Sequence, residues 1–123
     1  PGGTVEAALL RWFTDGFRAQ NPEKMGLVRR WVLANEKHIY HRNYRVLAMG
    51  IDEIVAPDPP ITCPTLVLTA DEDYGNGPEM SEAIATEIQG ARLVILQGLR
   101  HMALMENPEA VNRPILDFLQ NNV

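Results

Sequence analysis

Serine and cysteine are nearly absent from this 123-residue chain. The one serine is Ser81, in a helix-like run, and no Gly-x-Ser-x-Gly turn that would expose a serine nucleophile occurs. The one cysteine, Cys63, has no cysteine partner and no base beside it in sequence, which favours a buried structural thiol. These absences exclude an internal disulfide and leave the sequence without a recognisable nucleophile.

Positive charge and long apolar runs are also scarce. The chain has 11 Lys and Arg against 16 Asp and Glu, so it lacks the basic surface that nucleic acids and anionic membranes require. It has neither a leader-like segment nor an apolar run long enough to span a bilayer. We therefore expect a cytoplasmic protein with no nucleic-acid or membrane partner. Its length and 46% hydrophobic content predict one folded domain.

The first half of the chain has apolar residues at helical spacing, and the second half changes to short continuous apolar runs. The predicted elements are helices at 4–18 with Thr4 as N-cap, from Asn21-Pro22 to Ala34, and at 37–49 ending at Gly50; a connection at 52–60; strands at 65–69 and 92–96; helices at 78–89 and 108–119; and a frayed tail at 120–123. A right-handed crossover makes the two strands parallel. Because two strands cannot cover their own faces, and because the chain begins with Pro1 rather than Met, we expect part of a longer protein.

Two ionisable residues follow the two predicted strands. Asp73 and His101 are 28 positions apart, about one strand–helix–strand unit, so the ends of neighbouring parallel strands would bring them together. A carboxylate can orient an imidazole, and histidine is well suited to act as a general base near neutral pH. The alternatives are that acids 71–73 favour the positive end of the next helix, and that His101 is an ordinary loop histidine.

Other chemistry-bearing side chains favour structural roles. His38 and His41, with Glu36 nearby, have a spacing that could hold a metal, but no further ligands accompany them, so we expect surface or packing histidines and no metal. The aromatic residues of the first half could line an apolar pocket, although aromatics at helical spacing usually belong to the core. These aromatic residues are Trp12, Phe13, Phe17, Trp31 and Tyr40.

The segments 61–73 and 91–102 resemble the carboxyl-terminal part of α/β-hydrolases, in which the acid follows a strand in a Gly-x-x-Asp turn and the histidine follows the last strand in a Gly-x-x-His turn. The match falls on Asp73 and His101, with Ala70 in place of the usual glycine and Asp71 as a rival acid. Upstream, Arg11-Trp12-Phe13-Thr14, Asn21-Pro22 and Tyr40 look like the helical cap of 3-oxoadipate enol-lactonases and related ester and lactone hydrolases. The resemblance implies an α/β fold, with a helical cap at 1–50 and the last part of the catalytic domain, a β-α-β-α unit with parallel strands, at 51–123.

The same resemblance implies the activity and its residues. His101 would be the base and Asp73 the acid of a serine-type hydrolase that needs no cofactor, and Trp12, Phe13, Trp31 and Met102 would contact a small ester or lactone substrate. Without a nucleophile the chain alone should be inactive, and we expect it to associate with a missing amino-terminal portion or with another copy. The alternatives are a dehalogenase, a cofactor-free peroxidase, a carbon–carbon hydrolase, or a non-catalytic assembly module that dimerises through its exposed sheet.

Overall fold

The computed structural model describes the backbone of residues 2–122 and the side chains of residues 5–51 and 55–122. Four helices come first, followed by a strand–helix–strand unit and two further helices. In chain order the elements are α1 (Gly2–Trp12), α2 (Asp15–Gln20), α3 (Pro22–Ala34), α4 (Lys37–Ile54), β1 (Leu66–Ala70), α5 (Pro78–Glu87), β2 (Arg92–Leu96), α6 (Ala103–Glu106) and α7 (Pro108–Asn122). None of the helices in the described chain has the length and apolar character that crossing a membrane requires.

The two strands form a parallel pair, as predicted. Leu66 lies opposite Arg92 and Ala70 lies opposite Leu96, with α5 as the crossover between the strands. The predicted β2 bounds are confirmed, and β1 begins and ends one residue later than expected. The α/β class is therefore confirmed, and the parallel register places the carboxyl ends of both strands at one edge of the sheet.

Two separate apolar clusters form the core. One joins α1 and α3 through Val5, Leu9, Phe13, Met25 and Val28. The other joins the strand ends to α6 and α7 through Ala70, Leu96, Leu99, Ala103 and Val111. Residues after β2 contact both clusters, since Leu99 and Ala103 belong to the second and Met102 packs on the first, and the candidate site lies at this loop.

The predicted helix at 4–18 is wrong, because the structure divides it into α1 and α2 at Phe13 and Thr14. Thr14 is extended, with φ −63° and ψ 154°, and the helix restarts when Arg18 N–H donates to the Thr14 carbonyl. The apolar residues keep their helical spacing through this break, so the sequence pattern does not indicate the break. α1 begins at Gly2, before the predicted cap Thr4, whose side chain lies outside the described residues.

Other predicted helix ends also differ from those in the structure. Gly50 does not stop α4, which runs on to Ile54, so a domain boundary at position 50 would fall within a helix. Asn21 precedes α3 but makes no cap bond to it; its Nδ2 instead donates to the Phe17 carbonyl at the end of α2. α5 ends two residues before the predicted Gln89, α6 was not predicted, and α7 stays helical to Asn122 where a frayed tail was expected.

Candidate active site

The loops that follow β1 and β2 are tied together by backbone groups. Asp71 N–H donates to the Leu96 carbonyl at 2.8 Å, and Glu72 N–H donates to the Leu99 carbonyl at 3.1 Å. The Asp71 carboxylate also joins the two loops, because its Oδ1 accepts from Gly98 N–H at 2.8 Å and from Leu99 N–H at 3.4 Å. Gly98 adopts φ +69°, the left-handed conformation that glycine tolerates best. The two loops therefore form one connected edge.

Asp73 and His101 meet at this edge. His101 Nδ1 lies 2.8 Å from Asp73 Oδ2, while Asp73 Oδ1 accepts from Gly75 N–H and Asn76 N–H at 3.0 Å each. The Asp73 side chain is 9% exposed and that of His101 is 41% exposed. The rival acid Asp71 is occupied by the neighbouring loop, so the structure brings Asp73, and not Asp71, to His101.

The surroundings of Asp73 favour its ionised form. Burial raises its pKa, but the hydrogen bonds from Asn76 N–H, from His101 and from Gly75 N–H together lower the pKa below its ordinary value. A carboxylate that stays charged near neutral pH accepts a proton-bearing Nδ1. In a neutral imidazole with this contact, the free lone pair is on Nε2, which no described residue hydrogen-bonds.

A close backbone approach shapes the loop that carries Asp73. A Cβ on Gly77 would lie 2.7 Å from the Asp73 carbonyl oxygen, closer than real side chains come. Thr69, at 8% exposure, donates its hydroxyl to the Asn76 carbonyl at 2.9 Å and so fixes the far side of the same turn. The position of the Asp73 carboxylate therefore depends on glycine at 77 and on the end of β1.

A cavity of about 410 Å³ opens beside the pair. One wall comes from the strand ends and contains Asp73, Gly75, Asn76 and His101; the other comes from α1 and α4 and contains Ala7, Ala8, Arg11, Trp12, Tyr40, Tyr44 and Leu47. The Trp12 ring stacks against the His101 ring, with centroids 6.4 Å apart and planes 29° apart. Arg11, Tyr44, Leu47 and Asn76 are cavity residues that the sequence analysis missed, since nothing local separates them from other surface positions on their helices and loop.

Of the four residues predicted to contact substrate, the structure places only Trp12 in this cavity. Phe13, the residue directly after α1, is 0% exposed in the core cluster of α1 and α3, whereas Trp12 is only partly buried and reaches the cavity. Trp31 is 52% exposed on α3 but lies outside the cavity. Met102 is half-buried and packs on the same core cluster as Phe13. Substrate contact by Phe13, Trp31 and Met102 stays a prediction, since none of the three lines this cavity.

The histidines of α4 make no comparable site. His38 Nε2 lies 3.4 Å from Glu36 Oε2, and both side chains are well exposed. Among the residues whose side chains are described, no group of three or more His, Cys, Asp or Glu could hold a metal ion together.

Comparison with known proteins identifies the family of the chain. Residues 49–122, which include both strands, both loops and α7, match the family described as TAP-like protein. The chain belongs to this family of α/β-hydrolases. The family assignment confirms the resemblance inferred from the turns around Asp73 and His101.

Individual relatives of the chain are hydrolases. It is 29% identical over 120 residues to (E)-2-((N-methylformamido)methylene)succinate hydrolase of Acinetobacter baylyi, covering 94% of this chain and 43% of that protein. Its fold is similar to the enol-lactonase of Burkholderia xenovorans, with TM-score 0.87, 27% identity and coverage of 97% of this chain and 45% of that one. It is also similar to a malate-bound thermophilic esterase of Thermogutta terrifontis, with TM-score 0.71, 27% identity and coverage of 98% and 44%. The chain spans less than half the length of each of these relatives.

Proposed function

We propose that this chain supplies the acid and the base of an α/β-hydrolase that cleaves carboxylic esters or lactones. The observation that carries the proposal is the 2.8 Å contact between His101 Nδ1 and the nearly buried Asp73 carboxylate, beside an open cavity. In this arrangement the carboxylate fixes the tautomer in which Nε2 can accept a proton. Helices α1 to α4 act as the helical cap, so the boundary predicted at position 50 moves to the end of α4, and the rest of the chain belongs to the catalytic domain.

The proposed reaction uses His101 twice. Its Nε2 takes the proton of a hydroxyl nucleophile as the oxygen attacks the substrate carbonyl carbon, and it then gives that proton to the departing alkoxide or enolate oxygen. Water repeats the sequence on the acyl intermediate and releases the acid. Asp73 stays ionised throughout and stabilises the imidazolium that forms in each half-reaction. The cap helices exclude bulk water from the cavity.

The nucleophile of this proposal is contributed from outside this chain. The one serine, Ser81, is 7% exposed within α5 and does not line the cavity of about 410 Å³. It lines a smaller cavity of about 310 Å³ that also reaches Asp73 and His101, but no hydrogen bond joins it to either of them. A serine held inside a helix lacks the exposed turn that a nucleophile needs.

The helical wall of the cavity favours an anionic substrate. Arg11 lines the cavity and forms no ion pair with any residue whose side chain is described. A Cβ on Gly75 would lie 3.1 Å from Arg11 Nη2 and 3.7 Å from Asp73 Oδ1, so the guanidinium stands close to the Asp73 loop. Two relatives support an anionic substrate, since one is named as a hydrolase of a substituted succinate and the other is described with malate bound, and both names denote carboxylates. We propose an ester or lactone that carries a free carboxylate within reach of Arg11.

The experiment is a hydrolysis assay on the protein expressed from its native reading frame. The substrates are 4-nitrophenyl acetate, 4-nitrophenyl hydrogen succinate and a small enol-lactone bearing a carboxylate. We expect His101→Gln to lower kcat at least about a thousandfold, because the base is lost, while the exposed control His38→Gln keeps wild-type turnover. Near-normal turnover in His101→Gln would reject the assignment, and abolished turnover in Ser81→Ala would move the nucleophile into this chain.

Further measurements on the same protein identify the competing functions. Halide release from a haloalkane, without ester cleavage, would indicate a dehalogenase. A wild-type protein that cleaves none of the substrates and forms a concentration-dependent dimer would indicate an assembly module that pairs through its sheet.

A further inference from the structure

The corner between α1 and α2, residues 12–15, is held by residues 100–106, the segment that contains His101. The Met102 N–H donates to the Trp12 carbonyl at 2.9 Å, which joins the last residue of α1 directly to the residue after His101. Arg100 and Glu106 add contacts on either side of this bond. The corner is thus anchored by residues placed before and after His101 in sequence.

Arg100 binds the end of α1. Its Nη1 donates to the Leu10 carbonyl at 2.8 Å and to the Phe13 carbonyl at 3.0 Å, and lies 3.3 Å from Asp15 Oδ1. Leu10 lies in the last turn of α1, whose carbonyls have no partner within the helix, Phe13 follows the helix directly, and a positive charge is favourable at this end. With its side chain 15% exposed, Arg100 is a partly buried connection and not a surface charge.

The same guanidinium is fixed to the catalytic edge. Arg100 Nε lies 3.3 Å from Glu72 Oε2, and its guanidinium carbon lies 5.3 Å from the centre of the Tyr74 ring. Burial lowers the pKa of Arg100, but the charges of Tyr74, Asp15 and Glu72 and the Glu72 hydrogen bond more than reverse this, so the net direction is upward. Arg100 therefore stays charged and links the corner to the loops of β1 and β2 at once.

Glu106 binds the start of α2. Its Oε1 accepts from Thr14 N–H at 2.6 Å, and its Oε2 accepts from the Thr14 hydroxyl at 3.3 Å. Thr14 makes no side-chain cap of its own, so a carboxylate on α6 supplies the acceptor. A cation thus meets the end of α1 and an anion meets the start of α2, which is the arrangement that the two helix dipoles favour.

We propose that Arg100 and Glu106 are positioning residues, which hold the α1–α2 corner against the His101 loop and thereby set the stacking of Trp12 on His101. The corner carries Trp12, and the loop carries His101, whose rings lie 6.4 Å apart. Without these two side chains, the bond from Met102 to Trp12 is the one hydrogen bond left between corner and loop among the described residues, beside the apolar packing of Met102 on the cluster that contains Phe13. The position of Trp12 over the imidazole would then be less firmly held.

Tryptophan fluorescence of the 123-residue chain tests this without any assay of activity. Trp31→Phe leaves Trp12 as the one indole. Contact with an imidazole lowers the emission of an indole, so we expect His101 to quench the fluorescence of Trp12 in the folded chain. His101→Gln in the same background defines the signal that is due to His101. We expect Arg100→Gln to lose most of this quenching and Glu106→Gln to lose a smaller part.

Arg18→Gln is the matched control. Arg18 Nη1 donates to the same two carbonyls, Phe13 at 2.8 Å and Leu10 at 3.4 Å, but from α2, so it makes no connection to the His101 loop. We expect this variant to keep the quenching. Equal loss in Arg18→Gln, or full quenching in Arg100→Gln, would overturn the proposal. If circular dichroism shows that Arg100→Gln does not fold, Arg100→Lys decides the question, since it keeps the charge but not the forked contacts and should give intermediate quenching.

Kinetics provide the second measurement, which rests on the proposed function. In the protein expressed from its native reading frame, Arg100→Gln should lower kcat about tenfold to a hundredfold with little change in KM, since the imidazole is misplaced while the cavity remains. An unchanged kcat together with lost quenching would refute the positioning role in catalysis. An inactive wild-type protein whose quenching still depends on Arg100 would instead reject the proposed function and leave the structural connection standing.

Discussion

The two walls of the cavity are built in different ways. The strand-end wall is fixed by backbone N–H and C=O groups, as where Asp71 N–H donates to the Leu96 carbonyl at 2.8 Å, and its acid is almost buried. The helical wall presents side chains that remain largely in solvent, with Tyr40 at 50%, Tyr44 at 58% and Leu47 at 66% exposure. Proton transfer needs positions fixed to a fraction of an ångström, whereas recognition can use side chains whose replacement barely affects stability. Under the proposed function, we expect the strand-end wall to perform the chemistry and the helical wall to select the substrate.

Removing the Asp71 carboxylate, which joins the two loops, should have the largest effect on the strand-end wall. Asp71→Ala leaves Gly98 N–H and Leu99 N–H without their acceptor, and we expect a loss of about 1–3 kcal/mol in the free energy of unfolding, measured in urea. The same variant should lose activity because the loops of Asp73 and His101 separate. The exposed control Asp117→Ala should change stability by less than about 0.5 kcal/mol. Equal values for the two variants would mean that the strand-end wall does not depend on Asp71.

On the helical wall, Arg11→Gln should alter recognition alone. We expect KM for 4-nitrophenyl hydrogen succinate to rise about tenfold, equivalent to about 1.4 kcal/mol, with kcat and the unfolding midpoint unchanged. KM for the neutral acetate should stay at its wild-type value. Arg30→Gln, an exposed arginine of α3 outside the cavity, is the control. A parallel rise in KM for both esters would remove the carboxylate from the proposed substrate.

The smallest effect concerns the response of the strand-end wall to acid. The pKa of Asp73 is lower in the folded chain than in the unfolded chain, so its ionised form stabilises the fold. This contribution is complete above the ordinary aspartate pKa, near about 4, and is lost as the pH falls through the lower folded value. The urea midpoint of the wild-type chain should therefore fall further than that of Asp73→Asn between about pH 5 and about pH 2. Parallel pH profiles would contradict the stabilising role of the carboxylate.

The features predicted from sequence are those set by short-range patterns. Continuous apolar runs located both strands, and the turns after them located Asp73 and His101, because parallel strands leave these residues at a shared edge. The break between α1 and α2 could not be predicted, since its capping groups, Arg100 and Glu106, are supplied by residues about 90 positions away. The sequence could not assign the aromatic residues to core or cavity for a related reason. Helical spacing shows that Trp12 and Phe13 point in different directions but does not show which direction is core.

The long sequence separation of the corner bonds has a consequence for how the chain folds. The contacts of Arg100 and Glu106 with α1, Phe13, Thr14 and Asp15 join residues 85 to 92 positions apart. Closing so long a loop costs entropy that is recovered only when both ends are already ordered, so we expect these bonds to form late. During synthesis α1 and α2 are made first, and the corner bonds cannot form until residues 100–106 have been made. The stacked Trp12–His101 pair is then a product of the final stage of folding, and a slow step there would delay the site long after helical content is complete.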